Sequence, residues 1–122
     1  MSAAILNFNG ATGAPKIEQG AEFDFFFEWN DKTGAKIDVS LYSAKMQIRK
    51  NYDEPVIVEL STDNGRIQVD SNNDFGLFLE SEITDLILPG TYLYDLLLED
   101  IISGDRFRLI QGEITVSPRV TV

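Results

Sequence analysis

The stretch of residues 88–96 most narrowly limits what this chain can fold into. Pro89 and Gly90 form a turn signal, because proline fixes φ and glycine tolerates a positive φ. After the turn the chain alternates, so that Tyr92 and Tyr94 share one face of an extended strand. A turn that leads into a strand beginning with tyrosine is typical of a tyrosine corner, in which the phenol hydroxyl bonds to the backbone just upstream. We therefore predict the penultimate strand of a two-sheet sandwich here.

A second alternating stretch covers residues 22–29. In an extended chain its four large rings lie on one face: Phe23, Phe25, Phe27 and Trp29. Such a face is either core or one large apolar patch, and large exposed patches are rare on soluble proteins. The four rings are therefore predicted to be core.

The clearest half-buried strand covers residues 42–49, where apolar and polar residues alternate strictly. Its inward face includes Met46 and Ile48, which join Tyr92, Tyr94 and Leu96 as predicted core. Shorter strands are predicted at residues 56–60, 67–69, 75–79 and 107–116, and residues 4–9 are either a short first strand or an arm. Ser81 is predicted to cap a single helical turn that ends by Leu86 and spans the two sheets.

These signals together predict an all-β fold. Short strands, turn signals about every eight to twelve residues and no long helix are typical of an immunoglobulin-like antiparallel β-sandwich of about seven to eight strands. The chain has no cysteine, so the sandwich has no disulfide.

The last strand changes phase along its length. Phe107 and Leu109 share one phase, whereas Ile114 and Val116 have the opposite one. A one-residue slip of this kind is absorbed by a β-bulge, which we predict at residues 111–112, Gln-Gly.

Composition argues against several classes of function. The chain has neither histidine nor cysteine, the commonest general base and the thiol nucleophile, and no motif of an activated serine. No enzymatic activity and no cofactor are therefore predicted. Twenty acidic residues against ten basic ones give a net charge of −10, which repels nucleic acid and anionic membrane surfaces. The N-terminus lacks the basic start of a signal peptide, which predicts synthesis in the cytosol.

The sequence contains two further candidate sites. Asp70, Asn72 and Asp74 alternate like calcium ligands, but the glycine comes one position late, which favours an Asx-rich turn and no metal site. The aromatic residues Phe26, Phe78 and Tyr52 are either surface contacts for a sugar or a protein, or are covered by neighbouring strands.

With the strands placed, a series of short motifs becomes recognisable. The chain resembles a family of small tail and virion structural proteins of double-stranded DNA phages and prophages, including those of cyanophages, over about residues 17–121. The motifs are Ile17-Glu18-Gln19-Gly20, the stretches 37–50, 88–96 and 111–118, and the Val120-Thr121 ending. The resemblance implies an immunoglobulin-like sandwich, a place in the virion, no enzymatic activity and other virion proteins as partners, with many copies in a symmetric assembly.

Within this interpretation the chain divides into three parts. Residues 1–14 are predicted to be a docking arm, residues 15–118 the sandwich, and residues 119–122 a tail. Removal of the arm is expected to abolish incorporation and leave the fold intact. The residues predicted to contact partners are Ile5, Leu6, Phe8, Val120 and Val122.

The leading hypothesis is a tail or baseplate subunit. A cementing protein on the outside of the capsid and a module that binds host-surface glycan remain alternatives.

Overall fold

The computed structural model describes residues 4–10, 15–30, 33–69 and 74–120. Within these ranges almost all regular structure is β. The strands are β1 (Ala4–Ile5), β2 (Ile17–Glu18), β3 (Phe23–Phe27), β4 (Tyr42–Arg49), β5 (Val56–Ser61), β6 (Ile67–Val69), β7 (Phe75–Leu79), β8 (Gly90–Asp100) and β9 (Arg106–Ser117), with a 3-10 turn at Val39–Leu41 and the helical turn α1 at Ser81–Thr84.

The strands form two sheets that face each other. The larger sheet has the order β1-β9-β8-β4-β5, with β2 also paired to β9, and the smaller sheet has the order β3-β7-β6. The predicted disulfide-free all-β sandwich is thus confirmed. Its long strands pair antiparallel. The short strands β1 and β2 instead run parallel to β9, which the sequence pattern did not predict.

The predicted core residues lie between the sheets. Six of them are 5% exposed or less, namely Phe23, Met46, Ile48, Tyr92, Tyr94 and Leu96. The other three, Phe25, Phe27 and Trp29, are half-buried and pack against that core. Trp29 lies near one end of the sandwich, with its ring centroid 5.4 Å from that of Tyr42 and 5.5 Å from that of Phe107. Alternation along an extended chain therefore identified the inward faces correctly.

The turn before β8 has the hydrogen bond predicted for a tyrosine corner. The Tyr92 hydroxyl donates to the Leu88 carbonyl, four residues upstream. Burial of the ring removes water from the phenol and raises the pKa of Tyr92. The bond joins the start of β8 to the segment that leaves α1.

The helical turn α1 joins the two sheets as predicted, but the prediction for its cap is wrong. The N-cap residue is Glu80, whose side chain makes no capping hydrogen bond, and Ser81 is already the first helical residue. The helix is held instead through its last residue. The Thr84 hydroxyl donates to the Ala21 carbonyl at 2.8 Å and accepts the Gly20 N–H at 3.1 Å.

The phase change in β9 is real, but it occurs earlier than predicted. Leu96 pairs with Ile110 and Leu97 with Arg108, so Leu109 is the extra residue of the bulge. The bulge lets both Leu109 and Ile110 point inward, at 8% and 7% exposure. Residues 111–112 are regular strand, and Gly112 leaves room for the backbone of Leu6 beside it.

Residues 4–8 are part of the sandwich, which corrects this part of the arm predicted at residues 1–14; residues 1–3 and 11–14 lie outside the described residues. Residues 4–8 follow the free edge of β9, with Ile5 opposite Gln111 and Phe8 opposite Ile114. The Phe8 side chain is fully buried. Its ring lies 6.0 Å from that of Phe23 and 5.2 Å from those of Phe25 and Tyr94. Phe8 therefore fills the side of the sandwich between β3 and β9, and the prediction that it contacts a partner is wrong.

Candidate functional site

The residues predicted to contact partners do not form one surface. Ile5 and Val120 are exposed, at 74% and 96%. Leu6 is half-buried against the core and Phe8 is buried. Val122 lies outside the described residues. Ile5 contributes to a groove on the larger sheet, whereas Val120 follows the far end of β9, so exposure alone does not make these residues a site.

The outer edge of β3 carries backbone groups to which no described residue bonds. The Phe78 N–H donates to the Arg66 carbonyl at 2.8 Å, so the backbone of Phe78 faces β6. In an antiparallel ladder, two residues opposite each other either exchange both hydrogen bonds or exchange none. A β3 residue opposite a β7 residue that faces β6 therefore directs its N–H and C=O away from β7. Asp24 lies opposite Phe78, and Phe26 lies opposite Gly76. Asp24 and Phe26 each direct one N–H and one C=O away from β7, and no described residue bonds to these groups.

An exposed aromatic ring lies beside these free groups. Phe26 is 57% exposed on the outer face of the smaller sheet. Its ring rests on Gly76, where an added Cβ would come within 2.5 Å of the ring carbon Cε1. The half-buried Phe78 is the next outward residue along β7. Glycine at this position lets the ring lie flat against the sheet and stay accessible to a partner.

The outward side chains on either side of Phe26 are acidic. Glu22, Asp24 and Glu28 are all exposed and alternate along the same face. The Lys36 side chain approaches them, since its Nζ lies 3.8 Å from the Glu28 carboxylate. We call the free backbone side of β3, with the outward side chains of Glu22, Asp24, Phe26 and Glu28, the open edge.

The edge strand β5 of the larger sheet, in contrast, is protected against pairing with another strand. In β5 the register shifts at Ile57, where the pairs change from Val58 with Ile48 to Val56 with Arg49. The Glu59 carbonyl accepts from the Asn64 side chain at 2.9 Å and from Arg66 at 3.2 Å. Bulges and side chains that occupy edge groups are two of the devices by which proteins block unwanted strand pairing. The open edge of β3 has neither device among the described residues.

A groove of about 580 Å³, lined by both polar and apolar residues, lies on the outer face of the larger sheet. Tyr52, 85% exposed, stands at its rim. Two guanidinium groups project into it and are held in place. Arg49 donates to the Gln47 side chain at 3.1 Å and to the Glu54 carbonyl at 2.8 Å. Arg108 lies 3.3 Å from the Asp95 carboxylate.

Exposed apolar side chains also cluster at one end of the sandwich. Ile101 and Ile102 form the turn between β8 and β9 and are 64% and 86% exposed. The Ile101 N–H donates to the carbonyl of Leu41, which is itself 48% exposed. These three exposed residues make a small apolar tip.

The described residues contain no group of three or more acidic side chains that could together hold a metal ion. Of the predicted Asx-rich turn, Asp70 and Asn72 lie outside the described residues, and Asp74 forms an ion pair with Lys36 at 2.6 Å. No helix in the described part of the chain is long and apolar enough to cross a membrane.

Sequence reasoning named Phe26 and Tyr52 as exposed aromatic candidates but did not identify the open edge or the groove. Both depend on strand order, because an edge exists only where no neighbouring strand pairs. Alternation of acidic residues with Phe26 in residues 22–28 was the available signal, since charged residues are common on edge strands.

Comparison with models of protein families and with curated proteins finds no match to this chain. The resemblance to phage structural proteins therefore rests on its short motifs alone.

Proposed function

We propose that this chain is a non-enzymatic structural subunit of a phage particle, located in the tail or baseplate. It acts by binding neighbouring virion proteins. The observation that carries the proposal is the open edge, where free backbone groups of β3 lie beside the exposed ring of Phe26. A surface of this kind suits the addition of a strand from another protein, and it offers little to a small substrate.

The strand order supports the immunoglobulin-like part of the proposal. In immunoglobulin sandwiches one sheet contains strands B, E and D, and the other contains G, F and C, extended by C′ in variable-type domains. The sheets β3-β7-β6 and β9-β8-β4-β5 have the corresponding orders when β3 is taken as strand B. The hydrogen bond between Tyr92 and Leu88 falls where such domains have their tyrosine corner.

Repetition would make weak contacts effective. A symmetric particle presents many copies of each neighbour, and linked binding events raise the overall affinity well above that of one contact. The chain has a net charge of −10, which disfavours contact with the genome, so it is incorporated by binding complementary surfaces of other virion proteins.

Electron microscopy of purified particles tests the location. Particles that carry a labelled copy of this chain should show the label at the tail or baseplate. Label on the head would favour the alternative of a capsid cementing protein, which uses the same surfaces. Absence of the chain from purified particles would contradict both.

The groove on the larger sheet favours a second candidate, a module that binds host-surface glycan. An exposed tyrosine ring together with amide, carboxylate and guanidinium groups is chemistry that can stack on and hydrogen-bond a sugar. Glycan-array binding by the isolated protein that is lost in Tyr52→Ala, but kept in the apolar-tip variant Ile102→Ala, would support this candidate. No binding to any glycan would remove it.

A further inference from the structure

We propose that the open edge binds an extended segment of a partner protein in which basic and apolar residues alternate. The segment adds a fourth strand to the smaller sheet, beside β3. The inference rests on the proposed structural role, because it specifies the chemistry of the neighbour that the same surface would bind.

The backbone of β3 provides the first part of the argument. Asp24 and Phe26 are two positions apart and together offer two N–H and two C=O groups on the free side. This is the spacing with which one strand receives another in a β-ladder. An added strand of about five residues would complete the hydrogen bonding of β3 without moving any strand that is already paired.

The side chains determine which sequence fits. On the outer face, a partner residue next to Asp24 meets a carboxylate, and one next to Phe26 meets an exposed ring. Lysine or arginine suits both positions, through ion pairing with the acid and cation–π contact with the ring. On the inner face, the alternate partner residues approach the half-buried rings of Phe25 and Phe27, which favours apolar side chains.

Pairing of two copies through the same edge is disfavoured by charge. An antiparallel pair centred on Phe25 places Glu22 opposite Glu28 of the second copy. Shifting the centre to Asp24 places two Asp24 carboxylates together, and shifting it to Phe26 places Asp24 opposite Glu28. Like charges directly opposite each other destabilise a strand pair. The charges of the open edge therefore disfavour pairing with a second copy of the chain and favour a basic partner.

Peptide binding tests the proposal directly. The probe is a fluorescein-labelled, capped peptide of about eight residues in which lysine and valine alternate. Its fluorescence anisotropy is measured against the full chain. A peptide with glutamate in place of lysine tests charge, and a lysine peptide that is N-methylated at alternate residues tests the backbone bonds. Binding of the first peptide alone, weakening as salt is added, is the expected result.

Two substitutions of equal charge change locate the site. Asp24→Lys should weaken binding of the lysine peptide at least about tenfold and allow the glutamate peptide to bind. Glu82→Lys, on the exposed side of α1, changes the net charge equally and should leave the affinity within about twofold. Equal weakening by both variants would overturn the proposal, because it would mean attraction to the overall charge only.

A third variant tests the backbone without altering the ladder to β7. The Asp24 N–H faces away from β7, so Asp24→Pro removes a free donor and the carboxylate but no bond to β7, and proline is tolerated at such edge positions. Asp24→Asn, which removes the charge and keeps the N–H, is the matched control. Thermal unfolding of Asp24→Pro should stay close to that of the wild type while peptide binding is lost. Unchanged binding by Asp24→Pro, or by the N-methylated peptide, would overturn the proposal. The electron-microscopy test is independent of peptide binding. If the chain is found in purified particles but the isolated protein does not bind the lysine peptide, this inference is refuted and the proposed structural role is not.

Discussion

The Tyr94 hydroxyl donates a hydrogen bond of 2.5 Å to the Leu6 carbonyl, which joins residues 88 positions apart in the chain. It ties the N-terminal segment to the penultimate strand across β9. Tyr94 itself is only 4% exposed, and its ring packs against that of Phe8. One side chain thus holds the segment both through its polar end and through its apolar body, which explains why residues 4–8 are part of the sandwich.

Replacing Tyr94 with phenylalanine should remove this tie and keep the ring. The Leu6 carbonyl then loses a buried donor, so the free energy of unfolding should fall by about 1–2 kcal/mol. Urea unfolding at neutral pH measures the change. Tyr52→Phe is the matched control, because the Tyr52 ring is 85% exposed and its loss of a hydroxyl should have no measurable effect. Equal stability of Tyr94→Phe and wild type would contradict the role of the hydrogen bond.

The same tyrosine should make stability fall in alkali. Burial raises the pKa of Tyr94 well above its ordinary value of 10.0. A group whose pKa is higher in the folded state stabilises the fold fully below the pKa of the unfolded state. That contribution is lost as the pH rises toward the folded-state value, at up to about 1.4 kcal/mol per pH unit. The stability difference between wild type and Tyr94→Phe should therefore narrow above pH 10 or so. A constant difference across that range would argue against burial of the phenol.

Phe8→Ala should be the most destabilising change in the N-terminal segment. It removes a fully buried ring that contacts Phe23, Phe25 and Tyr94, and the cavity it leaves should cost about 3 kcal/mol. Ile5→Ala, at a position 74% exposed, should change stability by less than about 0.5 kcal/mol. Denaturant unfolding of both variants decides between a strand of the sandwich and a loosely attached arm. If both changes had similarly small effects on stability, residues 4–8 would be a loosely attached arm and not a part of the sandwich.

The strands themselves were predictable from sequence because their signal is local. Alternation with period two places side chains on opposite faces whatever the rest of the chain does, and the predicted strand at residues 42–49 coincides with β4. The tyrosine corner was predictable for the same reason, since its hydrogen bond spans four residues.

Strand order and the fate of the N-terminus were not predictable, because they depend on distant contacts. Residues 4–9 alternate over too short a length to show whether Phe8 points into a core or toward a partner. Its burial depends on Tyr94 and on the free edge of β9. Likewise, the outward direction of Phe26 followed from alternation, but the absence of a described strand beside β3 did not.

Gly112→Ala should loosen the N-terminal segment selectively. An added Cβ would lie 2.3 Å from the Leu6 carbonyl oxygen and 2.6 Å from the Asn7 side-chain oxygen, so residues 6–7 must move away. We expect a loss of roughly 2 kcal/mol in unfolding free energy. The amide protons of Leu6 and Phe8, which bond to Gln111 and Glu113 at 2.9 and 2.8 Å, should exchange faster.

The control for this variant is Gly65→Ala. Gly65 has a φ of +79° and no atom within 4 Å of an added Cβ, so alanine there costs only the backbone strain of about 1 kcal/mol. Hydrogen exchange at Leu6 and Phe8 should be unaffected by this change beyond the global loss of stability. Faster exchange only in the control would contradict close packing of the segment on Gly112.

Phe26→Ala should separate folding from assembly. The ring is 57% exposed, so its loss should lower the free energy of unfolding by less than about 1 kcal/mol. If the open edge binds a virion neighbour, the number of copies per purified particle, counted by quantitative mass spectrometry, should nevertheless fall severalfold. Ile102→Ala, which removes an apolar side chain 86% exposed in the turn between β8 and β9, should leave the copy number unchanged. A normal copy number for Phe26→Ala, or an equal fall for both variants, would place the assembly contact elsewhere on the surface.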